Sequence, residues 1–476
     1  MKSSSVAYSK LKKHEDWRWD SEFLCDEPYH NKKLIYKPIG KILTSSQYGL
    51  SIDMNEDGNG CKIYRMNEIS DMFCDREINK YARIPANQTN KFKLKDNDVL
   101  FNRTNSLDCV GRTGLFKKFS EENLVFASYL IRVRTNEAEV LPEYLTTFLN
   151  TKHGIQDAKR RARISINQSN INAEELKRVE IPILSKDIQD TIRELFKLSF
   201  KLVNESELSY QDAEQLLLDE LGLLIWKSKH RLSFVKRFSD TQVSGRIDAE
   251  YFQPKYDEII KHIKQYTKGY KLLSGIVKVK DKIFQPKDAA IYRYIELSNI
   301  SSHGNINGFI EALGKELPTR ARREVNEGDI IVSTIEGSLS SIALITKDLD
   351  NALCSTGFFV VNSEKVNSET LLVLLKSPVG QLQLKKGCSG TILTAIGDDE
   401  FKRIILPDLP AGIQNDIKKK ITEMYEAKAL SKRHLDIAKR GVEMAIEKSE
   451  KEALNWITTE TKKIGIDLEN HKALHQ

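Results

Sequence analysis

The sequence predicts an α+β protein: two copies of one mixed domain, joined by a long antiparallel two-helix coiled coil and related by an approximate internal two-fold axis. Three observations predict it. The chain repeats itself once, at an offset near 228 residues. The first part of each copy alternates short β-branched runs with short helical patterns. Each copy then closes on a long stretch whose apolar residues form one narrow seam.

The repeat is carried by three passages. Arg18-Trp-Asp20-Ser-Glu22-Phe23 returns as Arg246-Ile-Asp248-Ala-Glu250-Tyr251, an offset of 228 from 18 to 246. Asp98-Val-Leu-Phe returns as Asp329-Ile-Ile-Val, and Lys177-Arg178-Val-Glu-Ile-Pro182 as Lys402-Arg403-Ile-Ile-Leu-Pro407. Over positions 177–192, seven of sixteen residues are identical to their counterparts, where chance matching among common residues gives about one. A period this long is a whole domain with an appendage rather than a solenoid repeat.

The elements follow in order. Residues 16–185 form the first domain, with strands expected at Asp98-Val-Leu-Phe and Tyr129–Arg134 and a helix opened by Pro142. From Asp187 the seam runs Ile188, Ile192, Leu195, Leu202, Ala213, Leu216 and Leu221, and Gly222 supplies a stop. Residues 186–222 are thus the central spacer helix, and 223–245 a connector. The second domain occupies 246–410, with strands at Asp329–Ile335 and Gly357–Val361 and a helix capped by Ser368. A C-terminal spacer helix over 411–455 carries Ile413, Ile417, Ile421, Met424, Leu435, Ala438, Val442 and Ala445, and 456–476 is a tail. Two such seams can each pack on their own domain or on one another. Mutual antiparallel packing covers both with the fewest elements. Gly441 interrupts the second helix at about 1 kcal/mol relative to Ala, which suits the close approach of a partner helix.

Composition narrows the function classes. The 476 residues carry 74 Lys+Arg against 67 Asp+Glu, a net charge of +7, with 40% hydrophobic and 30% charged residues. No run approaches 18 apolar residues, so no membrane helix is expected. Met1–Lys10 lacks an apolar core of the secretory type, and the six cysteines form no Cys-x-x-Cys pair, so a cytoplasmic chain with scattered buried thiols is expected. Phosphate-loop and dinucleotide motifs are missing, as is an adenine-methylating Asn/Asp-Pro-Pro-Tyr. One nuclease-like pattern, Asp408 with Asp416 and Lys418, sits where the second domain meets its helix. Two carboxylates and a lysine can hold a metal and activate water. Polar residues at a helix start explain the same pattern without chemistry.

Cations and amides cluster before each long helix. In the first copy these are Arg160, Arg161, Arg163, Asn167, Gln168 and Asn170, with Arg103 and Arg112 upstream. In the second they are Lys385, Lys386, Ser389 and Thr391, with Arg320, Arg322 and Arg323 upstream. A charge run is often only a solvated face. Its recurrence at matching places of both copies points instead to a polyanion, with Arg and Lys for phosphates and Asn and Gln for base edges.

In its repeat, its Arg-x-Asp-x-Glu-[Phe/Tyr] starts, Gly328-Asp329-Ile-Ile-Val-Ser with Gly337-Ser338-Leu339, and the Ile/Leu-Pro…Gln-x-x-Ile passage into each helix, the sequence resembles the specificity subunits of type I restriction–modification systems. The first copy departs at Asn102–Ser106, where Gly-Ser-Leu would be usual. The resemblance implies two target-recognition domains, each reading half of an asymmetric, split site on double-stranded DNA, held apart by the helical spacer. It implies a non-catalytic scaffold that docks two methyltransferase subunits and restriction subunits. S-adenosylmethionine, ATP and magnesium would bind those partners, and no cofactor this chain. A self-contained metal-dependent nuclease, or a coiled-coil adaptor with no nucleic-acid role, are the alternatives.

Overall fold

Ile330, Ile331 and Val332 are all fully buried, as a strand covered on both faces requires, and they form the middle of strand Ile330–Ser333. The computed structural model describes residues 20, 23–24, 26–120, 122–165, 168–301, 303–390, 394–466 and 468. It is mixed α+β and divides into two compact units, Met1–Leu202 with Ala429–Gln476, and Val203–Lys428. Both long helices therefore contribute to each unit.

In the first unit, Val99–Asn102 lies between antiparallel neighbours Leu130–Thr135 and Thr113–Leu115 in a six-stranded sheet. Leu124–Phe126 runs parallel to Cys61–Tyr64 in a four-stranded sheet beside it. A short antiparallel pair, Tyr36–Pro38 with Glu180–Pro182, brings the ends of the globule together. The second unit has the same pairings. Ile330–Ser333 lies between Phe358–Asn362 and Ile342–Leu344, Ala352–Ser355 runs parallel to Ile291–Ile295, and Tyr270–Leu272 closes on Ile405–Pro407.

Several repeated residues have matching duties. Asp98 accepts from Lys95 N and takes a salt bridge from Arg134. Asp329 accepts from Asn326 N and, at 2.7 Å, from Lys280. Gln189 Oε1 accepts from Leu141 N at 2.8 Å, ahead of helix Pro142–Leu149. Gln414 Oε1 does the same for Asn367 N at 3.3 Å, ahead of helix Ser368–Lys376. Each glutamine thus ties a long helix to the globule before it. Asn367, not Ser368, caps the latter helix. Its side chain accepts from Thr370 N, and Ser368 instead donates to Gly328 O.

The central helix spans Lys186–Glu220, and Gly222, at φ 66°, ends it in the left-handed region. In the first unit its half pairs with the far half of Ala411–Glu447. Ser199 and Ser431 share a buried hydrogen bond of 2.6 Å, and Ser185 N, just before the central helix, meets Glu450, just beyond the end of the other, so the two segments run antiparallel there. In the second unit Asp212 meets Lys420 at 3.0 Å, and Ala213 and Leu217 join Ile417, Ile421 and Met424 in the unit's core. The C-terminal helix does not continue to 455. It stops at Glu447, and Ser449, extended at φ −159°, caps a separate helix Glu450–Lys463 by accepting from Glu452 N. Part of the expected tail, up to Lys463, is thus helical. That helix is the close neighbour that Gly441 admits, since a Cβ there would meet Ile457 Cδ1 at 2.5 Å.

Candidate nucleic-acid interface

Arg163–Ser165 and Gln168–Asn170 form a hairpin that follows helix Lys152–Arg160, and strand Thr104–Asn105 adds to its inner edge. Arg163, Ile164, Ser165 and Gln168 are exposed on it. Asn167 lies outside the described residues. The structure brings Arg103 to this hairpin although 60 residues separate them in sequence: its guanidinium donates to Asn170 Oδ1 at 3.0 Å and to Ser128 O at 3.1 Å. It also stacks over Tyr48 at 5.0 Å. Asn170 Nδ2 in turn donates to Thr104 Oγ1. One acceptor and one donor position of Asn170 are thereby engaged, and Arg103 and Asn170 bracket the hairpin. Arg112 is exposed in the turn after Cys109.

The second unit builds the same device. Hairpin Cys388–Ser389 with Ala395–Ile396 follows helix Pro378–Gly387, and Ile335 bridges Ala395 at its inner edge. Ser389 and Lys385 are exposed, Lys385 lying 3.5 Å from Glu336. Thr391 lies outside the described residues. Arg320 is exposed before strand Ala321–Val325. Arg322 and Arg323, within that strand, spend guanidinium donors on Ala321 O and Lys280 O.

Three of these cations are ion-paired with carboxylates of their own unit. Arg161 is 7% exposed, and Arg160 and Arg161 converge on Asp157 Oδ1 at 2.7 and 3.0 Å. Asp157 Oδ2 also accepts from Glu180 N, and Arg161 reaches Glu175. Two adjacent guanidinia at a helix end meet a carboxylate three and four residues back, which the helical period makes their nearest neighbour. Lys386 pairs with Asp257 at 3.0 Å.

The same struts explain the repeated start motif. Arg160 lies 4.8 Å over the Phe23 ring and donates to Phe23 O, while Asp20 accepts from Phe23 N. In the other copy Asp248 accepts from Tyr251 N, and Lys386 lies 5.1 Å over the Tyr251 ring. Arg246 binds Asp248 through two donors, stacks 4.3 Å over Tyr251, and donates to Cys388 O at 2.8 Å. In both units the aromatic residue of the motif seats a cation at the root of the hairpin. Spacing in the sequence could pair the motifs, but not show that they latch a hairpin about 140 residues on.

No group of three or more His, Cys, Asp or Glu suited to a metal occurs among the described residues. Asp408 pairs with Lys271 at 2.6 Å, and Lys418 lies 3.9 Å from Glu369. Asp416 is exposed. Burial pushes the Cys354 thiol up to about 12 and that of Cys388 to about 11. Among the described residues no helix is long and apolar enough to cross a membrane.

Residues 39–207 match the family model of the type I restriction modification DNA specificity domain. The specificity subunit of the type I restriction enzyme EcoKI from Escherichia coli is 32% identical over 154 residues, 32% of each chain. A putative type I restriction enzyme MjaX specificity subunit from Methanocaldococcus jannaschii is 28% identical over 160 residues, 33% of this chain and 37% of the relative. The chain thus matches only about a third of the length of these curated relatives. A type I restriction–modification S subunit from M. genitalium aligns over 88% of this chain and 97% of its own, at 12% identity and a TM-score of 0.36, too distant to establish a shared fold. Residues 39–207, the stretch similar to the type I restriction modification DNA specificity domain, hold the first hairpin and its bracket.

Proposed function

We propose that this chain is the sequence-reading, non-catalytic subunit of a type I restriction–modification assembly, binding double-stranded DNA at an asymmetric, two-part site. The observation that carries the reading is the specificity-domain match over 39–207, a stretch that contains the paired strands Arg163–Ser165 and Gln168–Asn170. Each hairpin projects from a latched root. The first offers Arg163, Gln168 and Arg112, and the second Ser389, Lys385 and Arg320. Cations of this kind position a protein on phosphates, and amides or hydroxyls at a hairpin edge discriminate bases in a groove. The two hairpins differ in sequence, so the two half-sites differ. The duplicated unit and the antiparallel spacer are part of this proposal. The uninterrupted helix Lys186–Glu220 is the first spacer element of this proposal. Two methyltransferase subunits and the restriction subunits supply the chemistry, with S-adenosylmethionine, ATP and magnesium, in a cytoplasmic complex.

Selection from a randomised duplex pool, with the methyltransferase subunit present, tests this. Two unlike motifs at fixed spacing are expected, and one continuous or palindromic motif refutes the reading. Arg163→Ala should weaken binding alike for all sequences and lower the salt slope by about one. Metal-dependent cleavage by the chain alone, abolished by Asp408→Ala, would restore the nuclease alternative.

A further inference from the structure

The connector after the central helix presents its apolar side chains to water. Ile225, Leu232, Val235, Val243 and Ile247 are 89–99% exposed and Phe238 is 75% exposed. The helix Phe238–Ser244 buries no residue at all. Scattered single exposed hydrophobics need no explanation, but six in 23 residues do.

The backbone that carries them is fastened down. Leu223 is buried where the central helix ends. Gln253 brackets Arg231, accepting from its N at 3.0 Å and donating to its O at 2.9 Å. Lys236 is ion-paired with Asp257, and Arg246 is bound to Asp248 and Cys388. A chain tied at four points with its large side chains facing out is a presented surface, because ordering it costs entropy that its own contacts do not return.

We propose that residues 224–247 form a docking strap for a polypeptide partner whose surface is apolar and rimmed by carboxylates. The proposal rests on the scaffold reading above and assigns it a surface. Charge selects the partner: beside Arg231, Lys236 and Arg246, which are ion-paired with Glu258, Asp257 and Asp248, residues 224–247 hold Lys227, Lys229 and Arg237 against the single carboxylate Asp240. A second copy of the strap would oppose like charges. An anionic membrane needs one apolar face, and Phe238 and Val243, five residues apart, lie about 140° apart around their helix. A protein groove can enclose both sides.

The probe is the methyltransferase subunit, titrated against the full-length chain. Ile225→Ser, Val235→Ser and Phe238→Ser together should weaken binding at least about 100-fold. Lys227→Glu with Lys229→Glu should weaken it by about 10-fold at low salt and less at high salt. Thermal melting should stay unchanged for both variants, since these side chains are largely exposed. Wild-type binding that survives both variants overturns the strap alone. No binding of the wild type overturns the scaffold reading and the strap with it. Strap-dependent self-association, or strap-dependent binding to phosphatidylserine vesicles, overturns the choice of a protein partner.

Discussion

Asp157 is the acceptor on which the first hairpin's root depends, and replacing it tests the strut assignment. Its carboxylate, 2% exposed, accepts from Arg160 Nε at 2.7 Å, Arg161 Nε at 3.0 Å and Glu180 N at 3.1 Å. Asp157→Ala leaves these donors short of an acceptor in a site water barely reaches. Breaking a buried pair from one side costs about 3–5 kcal/mol. Arg161 keeps Glu175 at 3.6 Å and Arg160 keeps Phe23 O at 3.2 Å, so the lower figure, about 3 kcal/mol, applies. At about 2–4 °C per kcal/mol for a unit of this size, the melting transition of the first unit should fall by about 6–12 °C. Asp157→Asn keeps the shape and one acceptor oxygen and should lose about 1–2 kcal/mol. Removing both arginines together with Asp157 should recover part of the loss, since no orphaned charge remains. Calorimetry of the four proteins reads all of this. A single variant within about 0.5 kcal/mol of wild type, or a triple variant no better than the single one, refutes the strut.

His434, 1% exposed in the C-terminal long helix, has no hydrogen-bond partner on either ring nitrogen among the described residues, and burial lowers its pKa from 6.5 to about 4. As pH falls through 6.5 the unfolded chain takes up a proton that the folded one refuses. Stability should therefore drop by about 3 kcal/mol between pH 6.5 and 4 and level off below, and His434→Leu should remove that slope in denaturant titrations. Gly154 and Gly380 let successive helices meet at backbone contact, where a Cβ would lie 2.1 Å from Phe148 O and 2.5 Å from Leu375 Cα. Alanine at either should cost about 3 kcal/mol, whereas Gly441→Ala meets only the end of the Ile457 side chain and gains helix propensity, so its denaturation midpoint should move much less. Arg246→Ala should erode base discrimination in one half-site only, as read by selection from the duplex pool. Arg246→Lys should not restore it, because an ammonium cannot span Asp248 and Cys388 O together.

Much of the architecture was legible in the chain. The central helix shows in its seam and its glycine stop, because a helix that buries one stripe must repeat apolar residues at its own period. The strands around Val99 and Ile330 show as unbroken apolar runs for the same kind of reason. The repeat marks which residues matter twice: Asp98 and Asp329, Gln189 and Gln414, the two aromatic ends of the start motifs.

The sequence could not show what those residues touch. Cations at 160, 161 and 386 look like cations at 163 and 385, since charge and spacing carry no direction. Only the folded chain turns the first three onto Asp157 and Asp257 and leaves the others exposed. Nor does spacing show that Arg103, 67 residues away, donates to Asn170. The break at Ser449 was hidden because Lys and Glu continue the helical pattern across it, and a cap is visible only as geometry. Local periodicity, a property of neighbours in the chain, determined the elements. Which side chain is spent inside and which is offered outside was decided by contacts between distant segments, and that division defines the proposed interface.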